Sequence, residues 1–79
     1  MSKYEPLGDY LRKQAGNRVT LSFRDIANII GEPLPDSARQ HRAWWANDPK
    51  HVEAAAWLSA GWKSASVSLM EERVVFFRD

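Results

Sequence analysis

Asp36-Ser-Ala-Arg-Gln-His-Arg-Ala-Trp-Trp-Ala-Asn-Asp48 is the stretch on which the reading of this chain turns. Pro35 stops anything helical upstream, Asp36 and Ser37 are good N-cap residues, and Asn47-Asp48-Pro49 closes the segment. Nothing from Ala38 to Ala46 breaks a helix, so one helix over residues 37–47 is expected. It would carry Arg39, Gln40, His41 and Arg42 beside Trp44 and Trp45. Neighbours in a helix point about 100° apart, so the two indoles cannot both face one core. One is expected inside, the other at a boundary or on the surface. An exposed indole beside guanidinium groups marks a binding surface, and this helix is read as the contact element.

Upstream, Glu32-Pro-Leu-Pro35 is a short, stiff connector. Phe23, Ile26, Ala27 and Ile30 mark the buried face of a preceding helix. Ser22 caps it, Asp25 stands three residues on as in a capping box, and Gly31 ends it. Arg18–Ser22 alternates, with Val19 and Leu21 on one face, and reads as a brief strand. A first helix is expected from about Pro6 to Ala15, stopped by Gly16 and Asn17.

Downstream, Asp48-Pro49 reads as N-cap and first position of a fourth helix, with Val52, Ala55, Ala56 and Ser59 on its inner face. Gly61 suits the C′ position of a Schellman ending, with Trp62 placed to pack on Trp57. Ser64–Leu69 alternates, so Ala65, Val67 and Leu69 are expected inward. Val74–Phe77 returns after a turn with Val74 and Phe76 inward. An isolated hairpin is only marginally stable, which favours pairing with the strand near Val19. The expected fold is therefore α+β, a single winged-helix-like domain over residues 1–79. Its order is helix, strand, helix, helix, helix, hairpin, with a small three-stranded antiparallel sheet. Leu11, Ile26, Ile30, Trp57, Val67 and Phe76 are expected in the core.

Seventy-nine residues, 44% of them apolar, suffice for one small core. The absence of cysteine excludes disulfides and thiolate metal sites and suits a cytoplasmic setting. No apolar run approaches the roughly 20 residues that span a bilayer, and Met1–Pro6 holds no signal-peptide core. Net charge is +1, and its distribution is uneven: residues 1–36 balance, residues 37–63 carry +2, and residues 64–79 carry −1. The local excess falls on the Arg/Trp segment and points to an anionic partner.

Enzymatic ingredients are thin, and no catalytic residue, metal or cofactor is expected. No nucleophile-elbow glycines surround any serine, and no glycine-rich phosphate loop is present. His41, Asp48 and His51 match no zinc spacing, and Glu71-Glu72 belongs to a turn.

Two resemblances bear on function. Leu34-Pro-Asp-Ser-Ala-Arg39, Trp44-Trp-Ala-Asn47, Ala60-Gly-Trp62 and Val74-Val-Phe-Phe-Arg78 together resemble a family of small bacterial domains. That resemblance covers nearly the whole chain and implies no activity. From Thr20 to about Pro49, Ser22-Phe-Arg-Asp-Ile-Ala-Asn-Ile-Ile-Gly31, Ser37-Ala-Arg39 and Asn47-Asp-Pro49 resemble the DNA-binding half of alkylguanine-DNA alkyltransferases, itself winged-helix-like. By position, Arg39 would be the arginine that enters the base stack. That family's Pro-Cys-His-Arg active site has no counterpart here, so alkyl transfer is not implied.

The functional expectation is a non-enzymatic nucleic-acid-binding domain, with duplex DNA the expected partner, as for a transcriptional regulator. Arg39, Gln40, Arg42 and Trp44 would make contact, with Lys50 and Lys63 steering. The alternative is a protein-interaction module or homodimer using the same Arg/Trp surface. An acidic hairpin tip, Glu71-Glu72, repels phosphate and favours that alternative. A plainer reading has Arg39 and Arg42 pairing with Asp36 or Glu32, and Trp45 in the core at i+7 from Ala38.

Overall fold

Elements in this chain begin and end where nearby groups satisfy the backbone amides and carbonyls that a helix leaves free. The computed structural model describes residues 2–79. Helix α1 (Glu5–Arg12) has Pro6 in its first turn and buries Leu7, Gly8 and Leu11. It stops short of the expected Ala15, because the amides of Lys13 and Gln14 turn back to the carbonyls of Tyr10 and Leu11. Strand β1 (Arg18–Ser22) leads directly into α2 (Phe23–Ile30). The expected capping box is complete: Ser22 Oγ accepts from the Asp25 amide at 2.9 Å, and Asp25 Oδ2 accepts from the Ser22 amide at 3.0 Å. Gly31, at φ +80°, supplies the left-handed residue that ends α2.

After α3 (Asp36–Gln40) and a 3₁₀ turn (Arg42–Trp45), helix α4 covers Val52–Ser59. The expected start at Asp48-Pro49 is not taken. Asp48 Oδ1 accepts from the Lys50 amide and the Asp48 carbonyl from the His51 amide, a local turn that defers the helix to Val52. The inner face also differs from expectation, since Glu53, Ala54 and Trp57 are buried and Val52 is exposed. Trp57 sets the rotation: with its ring in the core, Val52, five residues away, points about 140° elsewhere. The C-terminus follows the Schellman pattern. The Trp62 amide bonds the Trp57 carbonyl at 2.9 Å, and the Gly61 amide bonds the Leu58 carbonyl at 3.0 Å.

Strands β2 (Lys63–Ser68) and β3 (Arg73–Phe77) form the hairpin, and β1 adds to β3, giving the antiparallel order β1-β3-β2. The fold is α+β, with four α-helices around a three-stranded antiparallel sheet. Val74 pairs with Leu21 and Val67, and Phe76 with Val19 and Ser64, so these rows face the helices. A bulge between Ser64 and Ser66 interrupts the expected alternation. Ala65 is left exposed, and Val67, on an edge strand, is only half-buried. Ile30, expected in the core, is also half-buried, as the last residue of α2.

Aromatic rings dominate the core. Phe23 stacks on Trp45 with centroids 5.0 Å apart, Trp45 on Trp57 at 6.1 Å, and Trp57 leans on Phe76 at 5.3 Å. Each such ring buries roughly 150–250 Å², an upper bound of about 4–6 kcal/mol. This column lets so short a chain hold together without cysteine. Gly8 serves the same packing. A Cβ there would stand 2.8 Å from the Ala56 carbonyl oxygen, so glycine permits the close approach of α1 and α4.

Candidate nucleic-acid interface

The segment expected as one helix over 37–47 is instead two short pieces. Helix α3 ends at Gln40; His41 is extended at φ −130°, ψ 119°; then the 3₁₀ turn begins. Trp45 explains the break. Its indole N–H donates to the Ala38 carbonyl at 2.8 Å, and that carbonyl is the one a continuing helix would offer to the Arg42 amide. In a continuous helix the two residues would be about 10 Å apart along the axis, out of reach. The indole finds a buried acceptor by folding the chain back, and the stacks with Phe23 and Trp57 hold it there. Trp45 is thus the buried member of the pair. Trp44 is half-buried, edge-on to Tyr4 with centroids 5.7 Å apart.

The break separates the expected contact residues. Arg39 and Arg42 lose the common face that unbroken helical spacing would give them. Arg39 reaches the hairpin turn, where its Nη1 lies 2.8 Å from Glu72 Oε2, and not to Asp36 or Glu32. There it lines a hollow of about 670 Å³ with Arg24, Asn28 and Glu32. Arg42 lies on the other side, lining a hollow of about 400 Å³ with Ala46 and Ser64–Val67 along the edge of β2. Gln40 is exposed between them, Lys63 begins β2, and Lys50 sits in the turn before α4. Trp44 lines a third hollow, with His51, Val52 and Glu53. Arg42 and Lys63 therefore border one strand edge, while Arg39, Trp44 and Lys50 are directed elsewhere.

Among the described residues, Arg42, Lys50 and Lys63 enter no ion pair, whereas Lys3, Arg12, Arg39 and Arg73 each face a carboxylate. Arg18 is a further unpaired cation that the sequence reading missed. It is opposite Phe77 on β3, and Phe77 is opposite Lys63 on β2, so Arg18 and Lys63 flank one row about 10 Å apart. The hairpin tip is different in character. Met70 is 95% exposed, and Glu71 pairs with Arg73 at 2.6 Å. Glu72, at φ +55°, gives its carbonyl to the Phe23 amide as well as its carboxylate to Arg39.

Asn47, read only as a helix stop, binds the whole region together. Its Oδ1 accepts from Trp57 Nε1 at 2.9 Å and from the Ser64 amide at 2.8 Å, while its Nδ2 donates to the Ser64 carbonyl at 2.9 Å. This side-chain amide pairs with β2 as a neighbouring strand would, closing the edge at Ser64. Ser64 Oγ in turn donates to the Trp45 carbonyl. The signal was present in Trp44-Trp-Ala-Asn47, but only the fold brings Ser64 and Trp57 to the amide. Arg78 has a comparable role. Its Nε and Nη2 donate to the Gly16 and Gln14 carbonyls, and its guanidinium lies 4.8 Å from the Trp62 ring centroid.

Burial, aided by the negative charges of Glu53 and Glu32, raises the Tyr4 phenol above its ordinary value. Among the described residues, no three His, Asp or Glu side chains gather as a metal site requires, and no helix is long and apolar enough to cross a membrane. Comparison with curated proteins and with solved structures gives no match. Residues 4–79 match a family described as a domain of unknown function, DUF7662, and the chain belongs to that family.

Proposed function

We propose that this is a non-enzymatic nucleic-acid-binding domain that contacts duplex DNA along the segment from Arg39 to Lys63. The observation that carries the reading is the placement of unpaired cations at the β2 edge. Arg42 and Lys63 border one strand edge with no carboxylate partner among the described residues, and Arg18, on the opposite edge strand, shares the cross-strand row of Lys63. A basic surface left unneutralised by its own protein suits a phosphate backbone. The order helix, strand, helix, helix, helix, hairpin, with the first strand against the last, differs from that of a winged helix by the added α4, and the likeness supports the reading only in the parts outside that helix.

In this reading the broken helix changes the mode of contact. Five residues of α3 make a poor probe for the major groove, so backbone contact by Arg42 and Lys63 contributes most of the affinity. Arg39 remains available, since an exposed pair such as Arg39–Glu72 is worth about 0–1 kcal/mol and a phosphate or guanine can displace it. Gln40, exposed beside it, is the neutral base-reading candidate. Lys50 and Trp44 contribute at the margins.

The protein-interaction reading has its own observation: Val52 is 60% exposed next to the half-buried Trp44, and Met70 projects from the hairpin tip. The variant Arg42→Glu/Lys63→Glu separates the two. Both positions are exposed, so circular dichroism should match the parent, while fluorescence anisotropy with mixed-sequence duplex should show at least tenfold weaker binding. Unchanged DNA affinity in the folded variant would reject the nucleic-acid reading. Absence of binding by the parent at low salt would favour the protein-interaction module.

A further inference from the structure

Glu53 is the one charged residue among those described whose surface is almost wholly buried, at 7% exposure. Its carboxylate enters no ion pair with lysine or arginine among the described residues, and the nearest basic group is His51 Nδ1 at 3.7 Å, charged only when protonated. Glu53 lines an open pocket of about 430 Å³ with Ser37, Ala43, Trp44, His51 and Val52. Trp44 is held in place from behind, edge-on to Tyr4 at 5.7 Å and to Trp45 at 4.6 Å, so its contribution to the wall is preorganised. The site thus combines an apolar, aromatic wall with one carboxylate, on a side chain that is 9% exposed.

We propose that this pocket binds an alkylammonium group, with Glu53 as its counter-ion and Trp44 and Val52 as the walls for its alkyl body. An anion is excluded by the carboxylate, and a neutral apolar ligand would strip water from that carboxylate without replacing it. A hard metal ion needs about six oxygen ligands, which one carboxylate among apolar walls does not offer. An organic cation satisfies both halves of the site, because the carboxylate attracts its charge and the apolar wall covers its alkyl body. Of the proposed DNA contacts only Trp44 lines the pocket, and Arg42, Lys63 and Arg18 do not, so the proposal does not rest on the nucleic-acid reading.

The test follows the NMR signals of the full chain as n-butylammonium chloride is added at constant total salt. Saturable shifts at the Trp44 indole, Val52 methyls and Glu53 amide are expected. n-Butanol, a similar alkyl body without the charge, should bind at least tenfold more weakly. Glu53→Gln removes the charge at nearly constant shape and should weaken butylammonium at least tenfold. Val52→Lys changes an exposed position, so it is expected to fold as the parent does, and its own ammonium should weaken binding to a similar degree. This second variant decides the matter if Glu53→Gln fails to fold. N-acetyl-lysine methylamide separates the sources. Binding equal to that of butylammonium assigns a lysine side chain of a polypeptide; binding of the free amine alone assigns a small amine, and both uphold the site. Absence of saturable shifts, equal binding of butanol, or full affinity in either folded variant overturns the proposal.

Discussion

The indole nitrogen of Trp45 lies 2.8 Å from the carbonyl oxygen of Ala38, and this bond determines what surface the Arg39–Trp45 segment can present. It ends α3 after five residues, buries one tryptophan and directs Arg39 and Arg42 to different sides. Trp45→Phe keeps most of the ring but leaves the Ala38 carbonyl unsatisfied in the core. The loss should be about 1–3 kcal/mol, read as a lower urea midpoint at unchanged slope. An unchanged midpoint would mean that stacking alone fixes the segment.

Asn47 should behave as a core residue despite its exposed backbone position. Asn47→Ala leaves Trp57 Nε1 without its partner and exposes both backbone groups of Ser64 to water, and a cost of about 1–3 kcal/mol is expected. Asn47→Asp keeps the two acceptor contacts but replaces the amide donor with an oxygen that faces the Ser64 carbonyl. It should therefore also destabilise, and hydrogen exchange at the Ser64 amide should rise in both variants. Protection of that amide equal to the parent's would contradict the strand-like pairing.

Side-chain truncation distinguishes the full core from its margin. Phe76→Ala, at a wholly buried ring in contact with Trp57, should cost about 3–5 kcal/mol. Ile30→Ala, at a half-buried helix end, should cost less than half as much. Equal losses in thermal or urea denaturation would contradict the burial difference.

Much of this fold was legible because it is locally encoded. Ser22 with Asp25, Gly31, and the Gly61-Trp62 ending are short-range hydrogen-bond patterns that can be read from neighbouring residues. The inward pair Val74 and Phe76 followed from strand periodicity with Arg78 in the same register, able to reach past the edge. What sequence could not carry was competition between local and distant partners. The Ala38 carbonyl has a helical partner in Arg42 and a tertiary one in the Trp45 indole, and the tertiary one prevails. Val52 satisfied helical spacing as well as Trp57 did, but the larger ring and its bond to Asn47 set the helix rotation. The candidate site suffered most, because Arg39 and Arg42 were grouped by a periodicity that the chain abandons at His41.

Alkaline pH should unfold the domain partly through Tyr4. Its phenol is raised above 10.0 by burial and by Glu53 and Glu32, so the folded state keeps a proton that the unfolded chain releases. The stability this group contributes is complete below about pH 10 and is lost as pH rises through the folded value. Tyr4→Phe should flatten the fall in denaturation midpoint above about pH 10 relative to the parent. Parallel pH profiles for the two proteins would show that the Tyr4 proton is not coupled to folding.

The salt dependence of duplex binding by the parent protein tests the central claim most directly. Fluorescence anisotropy with a labelled mixed-sequence duplex should yield a straight line of log affinity against log salt. Its slope should be about −3, as release of counterions by Arg39, Arg42 and Lys63 requires. Affinity independent of salt, or no binding at the lowest salt at which the protein remains folded, would contradict the account.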